Sequence, residues 1–236
     1  MRFYMKKLIL LATFSILMGK VVLVNADYDA GFQAFKLGDF QTTLEEWVPL
    51  AQAGSADAQN SIAALYKFGL GVKQNEQTAI KWYTLSAEQG DAAGQYGLGT
   101  MYVNAKDGLE DFQAAVKWFT LAANQGDEDA QYNLGVMYDK GQGVIKNDNT
   151  AVIWYTKASV QGIARAQARL GMMYENGAGV EKDLDRAYMW YNIGAYRGSE
   201  FGTEYKQALG EGMSVAQKTK LQDMSNRCLS SNYTDC

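Results

Sequence analysis

The chain has 236 residues, with 22 basic and 26 acidic side chains, 47% hydrophobic content, one Pro and two Cys. It contains no His, which removes the commonest general base, the commonest metal ligand and every His-dependent triad. An acidic balance without a basic run excludes nucleic acid as the main partner.

Residues 1–26 read as a secretory signal peptide. Arg2, Lys6 and Lys7 precede an apolar run from Leu8 to Met18, and Val24-Asn25-Ala26 supplies a small-residue cleavage site. The apolar run is short for a membrane span and Lys20 prevents its extension, so no stable span is expected after cleavage; an uncleaved anchor is the alternative. The leader carries four basic residues, so the exported chain keeps 18 basic against 26 acidic residues, and a periplasmic or secreted location is expected. Next, 27–55 reads as a capping helix pair, with Gly38-Asp39-Phe40 at its turn and Trp47-Val48-Pro49-Leu50 near its end.

From 56 to 198 the chain repeats every 36 residues. Trp82, Trp118, Trp154 and Trp190 keep this spacing, as do Gly90, Gly126, Gly162 and Gly198, Gln59, Gln95, Gln131 and Gln167, and Tyr66, Tyr102, Tyr138 and Tyr174. A period of this length marks a supersecondary unit that cannot bury its own apolar face and must stack on its neighbours. In the third unit Asp127 caps a first helix of about 13 residues that Gly141 ends; Asn147 caps a second, whose stripe of Ala151, Trp154, Tyr155 and Ala158 runs to Gly162. The second-helix cap recurs as Asn75, Asp111, Asn147 and Asp183. Small residues at Ala63, Gly99, Gly135 and Gly171 let the paired helices approach, and the Trp and Tyr ladders are expected to fill the gaps between units as core. The second unit departs, with Ala105-Lys106-Asp107-Gly108-Leu109 where the others read Gly-x-Gly-Val, either as another turn or as a surface for a partner.

The third unit, through Ala130, Leu134, Gly135, Tyr138, Gly141, Gly143, Val144, Ala151, Trp154, Tyr155, Ala158 and Gly162, resembles the Sel-1-like repeat family, relatives of the tetratricopeptide repeats. The resemblance covers 56–198 and implies an all-α, right-handed superhelical solenoid of helix-turn-helix repeats. Residues 199–236 read as C-terminal capping helices, with Ser214 capping the last one. Cys228 and Cys236 are expected to form one disulfide in an exported chain, worth roughly 2 to 3 kcal/mol in the chain-entropy model; an intermolecular bridge or free thiols are the alternatives.

The resemblance also raises penicillin binding and weak β-lactam hydrolysis, associated with cysteine-rich members of the family. No Ser is followed by Lys three residues on, neither S-D-N nor K-T-G occurs, and the disulfide within each repeat that those members share is missing. The glycine pairs Gly69/Gly71, Gly141/Gly143 and Gly177/Gly179 join helix to helix without a strand or a Lys-Ser/Thr continuation, and so are turns. The carboxylate groups Glu45-Glu46, Asp107/Glu110/Asp111 and Asp183/Asp185 lack calcium-loop spacing and read as solvated faces. No catalytic residue, cofactor or metal is expected.

If the units stack as in tetratricopeptide arrays, the first helices line a concave face whose variable positions carry recognition. The candidates are Asn60, Lys67, Tyr96, Thr100, Asp129, Tyr132, Asp139, Arg165, Met172 and Glu175. Tyr96 and Tyr132 fall side by side in adjacent units, either as binding anchors or as simple packing between neighbouring first helices. The reading is an exported, non-catalytic scaffold binding a protein or peptide, with a glycan as a further possible ligand. A peptidoglycan-binding protein or weak β-lactam hydrolase is the alternative.

Overall fold

The computed structural model describes residues 26–105 and 110–236. These form twelve α-helices and no strand: α1 (Tyr28–Lys36), α2 (Phe40–Gln52), α3 (Ala56–Phe68), α4 (Glu76–Glu88), α5 (Ala92–Val103), α6 (Phe112–Asn124), α7 (Glu128–Lys140), α8 (Asp148–Val160), α9 (Ala164–Asn176), α10 (Leu184–Tyr196), α11 (Glu200–Gly210) and α12 (Val215–Ser230). Each helix packs on the one before it, except that α12 packs mainly on α10, and the whole is an all-α repeat superhelix. The expected leader lies outside the described residues, apart from Ala26, and so does the Lys106 to Leu109 part of the divergent loop.

The helix ends follow from local chemistry. Asn75, Asp111, Asn147 and Asp183 each accept a hydrogen bond from the amide three residues on, satisfying one of the free donors that open a helix. Asp39 and Ser214 cap α2 and α12 in the same way. Ile163 opens α9 without a side-chain cap. Gly69, Gly141 and Gly177 close α3, α7 and α9 in the left-handed conformation, at φ near 70°. In the divergent unit Ala105 stands where these glycines stand, so α5 stops one residue earlier, at Asn104 with φ −102°, whose side-chain amide donates to the Thr100 carbonyl. The second glycine of each turn answers close approach: a Cβ on Gly143 would sit 2.3 Å from the Phe112 carbonyl oxygen, and one on Gly179 would sit 2.4 Å from the Asp148 carbonyl.

Inside the hairpins of the second, third and fourth repeats a ring of the second helix lies against a glycine of the first. A Cβ on Gly99 would meet the Phe119 ring at 2.7 Å, one on Gly135 the Tyr155 ring at 2.7 Å, and one on Gly171 the Tyr191 ring at 2.8 Å. Phe119, Tyr155 and Tyr191 are at most 1% exposed. The tryptophans do pack against the buried clusters between units, as expected, but this corrects the expectation that all of them are core. Trp82, Trp118 and Trp154 are only half-buried, with Lys117 and Lys157 ammonium groups over the second and third rings, and of the four periodic tryptophans Trp190 alone is buried. Successive side chains on a helix differ by 100° of azimuth, and it is the residue after each Trp that points straight at the paired helix.

Between hairpins the periodic glutamines do the joining. Gln59, Gln95, Gln131 and Gln167 are buried, and their amides donate to carbonyls at the end of the preceding unit: Ala51, Ala87, Ala123 and Ser159. The side-chain oxygens of the first three accept from Gln89, Gln125 and Gln161. In the fourth unit that donor position holds Arg197, and the Gln167 oxygen has no partner.

Cys228 and Cys236 lie at disulfide distance, their Cα atoms 4.8 Å apart. The short loop they close holds Tyr233 stacked on Trp190 with centroids 6.3 Å apart, and its hydroxyl accepts from Gln167 and Arg197.

Tyr155→Ala should cost about 3–5 kcal/mol, as a fully buried large-to-small change. Trp154→Ala, at a half-buried position, should cost less than about 2 kcal/mol. Urea unfolding at constant m measures both, and the reverse order of losses would reinstate Trp154 as the core residue.

Candidate functional site

The first helices α3, α5, α7 and α9 carry the sequence-derived candidates. Asn60 and Met172 are half-buried, the latter beside the Tyr191 cluster with its sulfur 4.0 Å from the Arg169 guanidinium. The remaining candidates are brought together, largely by contacts with one another.

Asp129 and Arg165, one repeat apart, form an ion pair, and the same guanidinium lies 4.4 Å from the centre of the Tyr132 ring. Both members of the pair are about half exposed, so the bond contributes at most about 1 kcal/mol. Tyr96 rests against Phe119 and Tyr132 against Tyr155, each pair with centroids 5.9 Å apart. Burial pushes the Tyr96 phenol up, and Asp129 adds to this while Arg165 and a hydrogen bond from Asn133 oppose it. Tyr96, Asp129 and Arg165 line one hollow of about 600 Å³ with Ile163, Glu200 and Phe201. Phe201 escaped the sequence reading, although it stands 36 residues after Arg165 and continues the 93, 129, 165 series into the terminal unit.

Deeper along the same helices, Asp139 accepts a hydrogen bond from the Tyr155 hydroxyl at 3.3 Å, and Glu175 one from the Tyr191 hydroxyl at 2.6 Å. These carboxylates therefore serve the rings that hold each hairpin together. Asp139 also lies 3.7 Å from Lys146. Thr100 is nearly buried; its hydroxyl donates to the Gly97 carbonyl and accepts from Lys67 at 3.2 Å. Burial lowers the Lys67 ammonium, since desolvation disfavours its charged form.

Among the described residues no group of three or more carboxylate, thiol or imidazole side chains is placed to hold a metal ion. No helix among them is long and apolar enough to cross a membrane. The surface offers aromatic rings, single charges of both signs and shallow hollows, which suit binding.

The model of the Sel1 repeat matches four times, at 56–91, 92–127, 128–162 and 164–199. The chain belongs to the Sel1 repeat family. Among solved structures it is similar to a Sel1 repeat protein from Oxalobacter formigenes, at 30% identity and TM-score 0.73 over 85% of this chain and 84% of that one. It is similar also to c5321, a protective antigen of uropathogenic Escherichia coli with this repeat fold, at 34% identity and TM-score 0.79 over 87% of this chain. The chain spans less than half, 46%, of that antigen. A Sel1 repeat protein of Klebsiella pneumoniae, at 24% identity and TM-score 0.51 over 78% of this chain and 91% of that one, shares the fold. No curated protein matches the chain.

The Sel1 hairpins impose an alkaline limit on stability. Burial raises the Tyr83 phenol to about 12 and pushes Tyr155 and Tyr191 up as well. Their folded pKa lies above the unfolded value, so their contribution is complete below the unfolded pKa near 10 and is lost as pH rises toward the folded value. The urea midpoint should hold steady from pH 8 to about 9.5 and fall steeply from about 10 to 12. A flat profile across that range would contradict the buried phenols.

Proposed function

We propose that the chain is an exported, non-catalytic scaffold that recognises a protein partner along the concave face formed by its first helices. Sel1 repeat proteins are generally scaffolds for protein–protein interaction. The observation that carries the reading here is the cluster of Tyr96, Asp129, Tyr132 and Arg165 beside the hollow that Phe201 completes. Aromatic and Arg side chains dominate binding hot spots because they bring large rigid area together with a polar tip. The ion pair within the cluster is exposed and weak, so a partner can exchange it for its own charges at small cost. Export is supported by the charged and apolar pattern of residues 1–26 and by the Cys228–Cys236 pair.

Purified wild-type chain should capture a discrete partner from envelope extract. Tyr96→Ala/Tyr132→Ala should lose at least about 90% of that capture, as expected for removal of two anchors. Leu121→Ala on α6, an exposed apolar residue of a second helix, is the control and should retain it. Equal capture by the double variant and the control would refute the concave-face assignment. For export, mass spectrometry of the chain from the periplasm or medium should give an N-terminus at Asp27; an intact leader would refute cleavage.

A further inference from the structure

The second repeat differs from the third and fourth at one place near the ends of the first helices. In the third and fourth repeats the flat ring is a Tyr whose hydroxyl is tied to a carboxylate near the end of the first helix: Tyr155 to Asp139 and Tyr191 to Glu175. In the second repeat both partners have changed together. The ring is Phe119, without a hydroxyl, and the facing position is Val103. Neither the polar bridge nor its bulk is present, and a hollow of about 150 Å³ lies there between α5 and α7. Val103, Val136 and Met137 supply its apolar wall, Phe119 lies beneath, and the amides of Asn104, Asn133 and Gln142 stand at its edge. At the next junction Asn133 and Val136 are replaced by Arg169 and Met172, longer chains that meet each other.

Thr100 also lines the hollow, and its hydroxyl holds the Lys67 ammonium. No carboxylate among the described residues pairs with Lys67, although it is half-buried and desolvated. A cation held in that way, in a chain rich in acids, is complementary to a negative group arriving from outside.

We propose that the hollow between α5 and α7 seats one aliphatic side chain of a peptide partner, with an adjacent carboxylate of that peptide on Lys67. The edge amides are then donors and acceptors for the peptide backbone, as in side-chain-pocket recognition. The proposal rests on the concave-face reading and adds the chemistry of the partner: an acidic segment with a leucine-sized anchor.

The test is titration of the exported chain with the blocked peptide acetyl-Ser-Asp-Leu-Asp-Ser-amide up to about 10 mM, within the range expected for so short a ligand. Methyl resonances of Val103, Val136 and Met137 report the binding. Saturable shifts confined to these groups are expected, weakened at least about tenfold when the peptide Leu is replaced by Ala. Replacing both peptide Asp residues by Asn should weaken binding by about tenfold in wild type and leave it unchanged in Lys67→Gln, because the carboxylate preference resides in that ammonium. Absence of saturable shifts at the highest concentration would overturn the proposal, as would equal affinity of wild type for the Asp and Asn peptides. Lys67→Gln and Val136→Phe, each checked for an unchanged thermal melt, also separate the two levels of the reading in the capture assay. Loss of capture by Tyr96→Ala/Tyr132→Ala but by neither of these variants would remove the hollow and leave the concave face standing; capture unaffected by all three would remove both.

Discussion

Everything in this molecule depends on an aromatic ring lying where a Cβ would be. Gly99, Gly135 and Gly171 give up their side chains so that Phe119, Tyr155 and Tyr191 can lie against the backbone of the paired helix. A glycine in mid-helix costs about 1 kcal/mol relative to Ala, and burying a large ring more than offsets it. In the first repeat Ala63 holds the matching position, and the Tyr83 ring finds its glycine instead at Gly97 of the following unit, where a Cβ would sit 2.3 Å away. The same ring that closes each hairpin sends its far edge toward the first-helix surface. The packing residue thereby shapes part of the first-helix surface: in the third and fourth repeats the Tyr hydroxyl takes an acceptor, Asp139 or Glu175, which the Phe of the second does not need.

Stacking of the hairpins raises a second requirement, that backbone carbonyls left free at the end of one unit meet donors in the next. The glutamine amides meet it, and because each is fixed by a donor from its own unit, the junction sets both spacing and rotation. The array ends where that pattern fails. Arg197 in place of a glutamine leaves the Gln167 oxygen buried without a partner. The Tyr233 phenol, held in place by the closed cysteine loop, takes the amide of Gln167 and covers Trp190. Since α11 and α12 both pack on α10, the terminal helices cover the last hairpin rather than extend the series.

Register was legible in the sequence; azimuth was not. A 36-residue period with Asn or Asp at every second-helix cap placed the helices and turns, since capping is a local property that needs only the chain itself. The Trp ladder, the most conspicuous periodic feature, misled because Trp154 and Tyr155 are both aromatic and adjacent, and periodicity assigns neither to the core. Only the glycine opposite decides, and that pairing spans twenty residues. The candidate positions on the first helices were found by counting, but their mutual contacts were not. That Asp139 and Glu175 hold core hydroxyls, or that Lys67 is held on Thr100, follows from geometry between helices. Phe201 could have been found by carrying the period a few residues past its last glycine; the hollow above Phe119 needed the comparison of ring and facing residue across repeats.

The face that results has two regimes. Toward the start of the first helices, Asp129 and Arg165 satisfy each other and Tyr132 supports the cation, so the charges are available but already neutralised. Toward their ends, the third and fourth repeats lock their carboxylates onto rings, while Lys67 has the Thr100 hydroxyl and the Phe68 ring, its centroid 5.2 Å away, but among the described residues no carboxylate. A ligand gains little by competing for groups that already hold strong partners, and gains most where a half-buried charge lacks its counterion beside unfilled apolar space. By that reasoning the place best suited to an incoming acidic ligand is the junction where the ring has lost its hydroxyl, the facing carboxylate has become Val103, and Lys67 of the preceding repeat stands alongside.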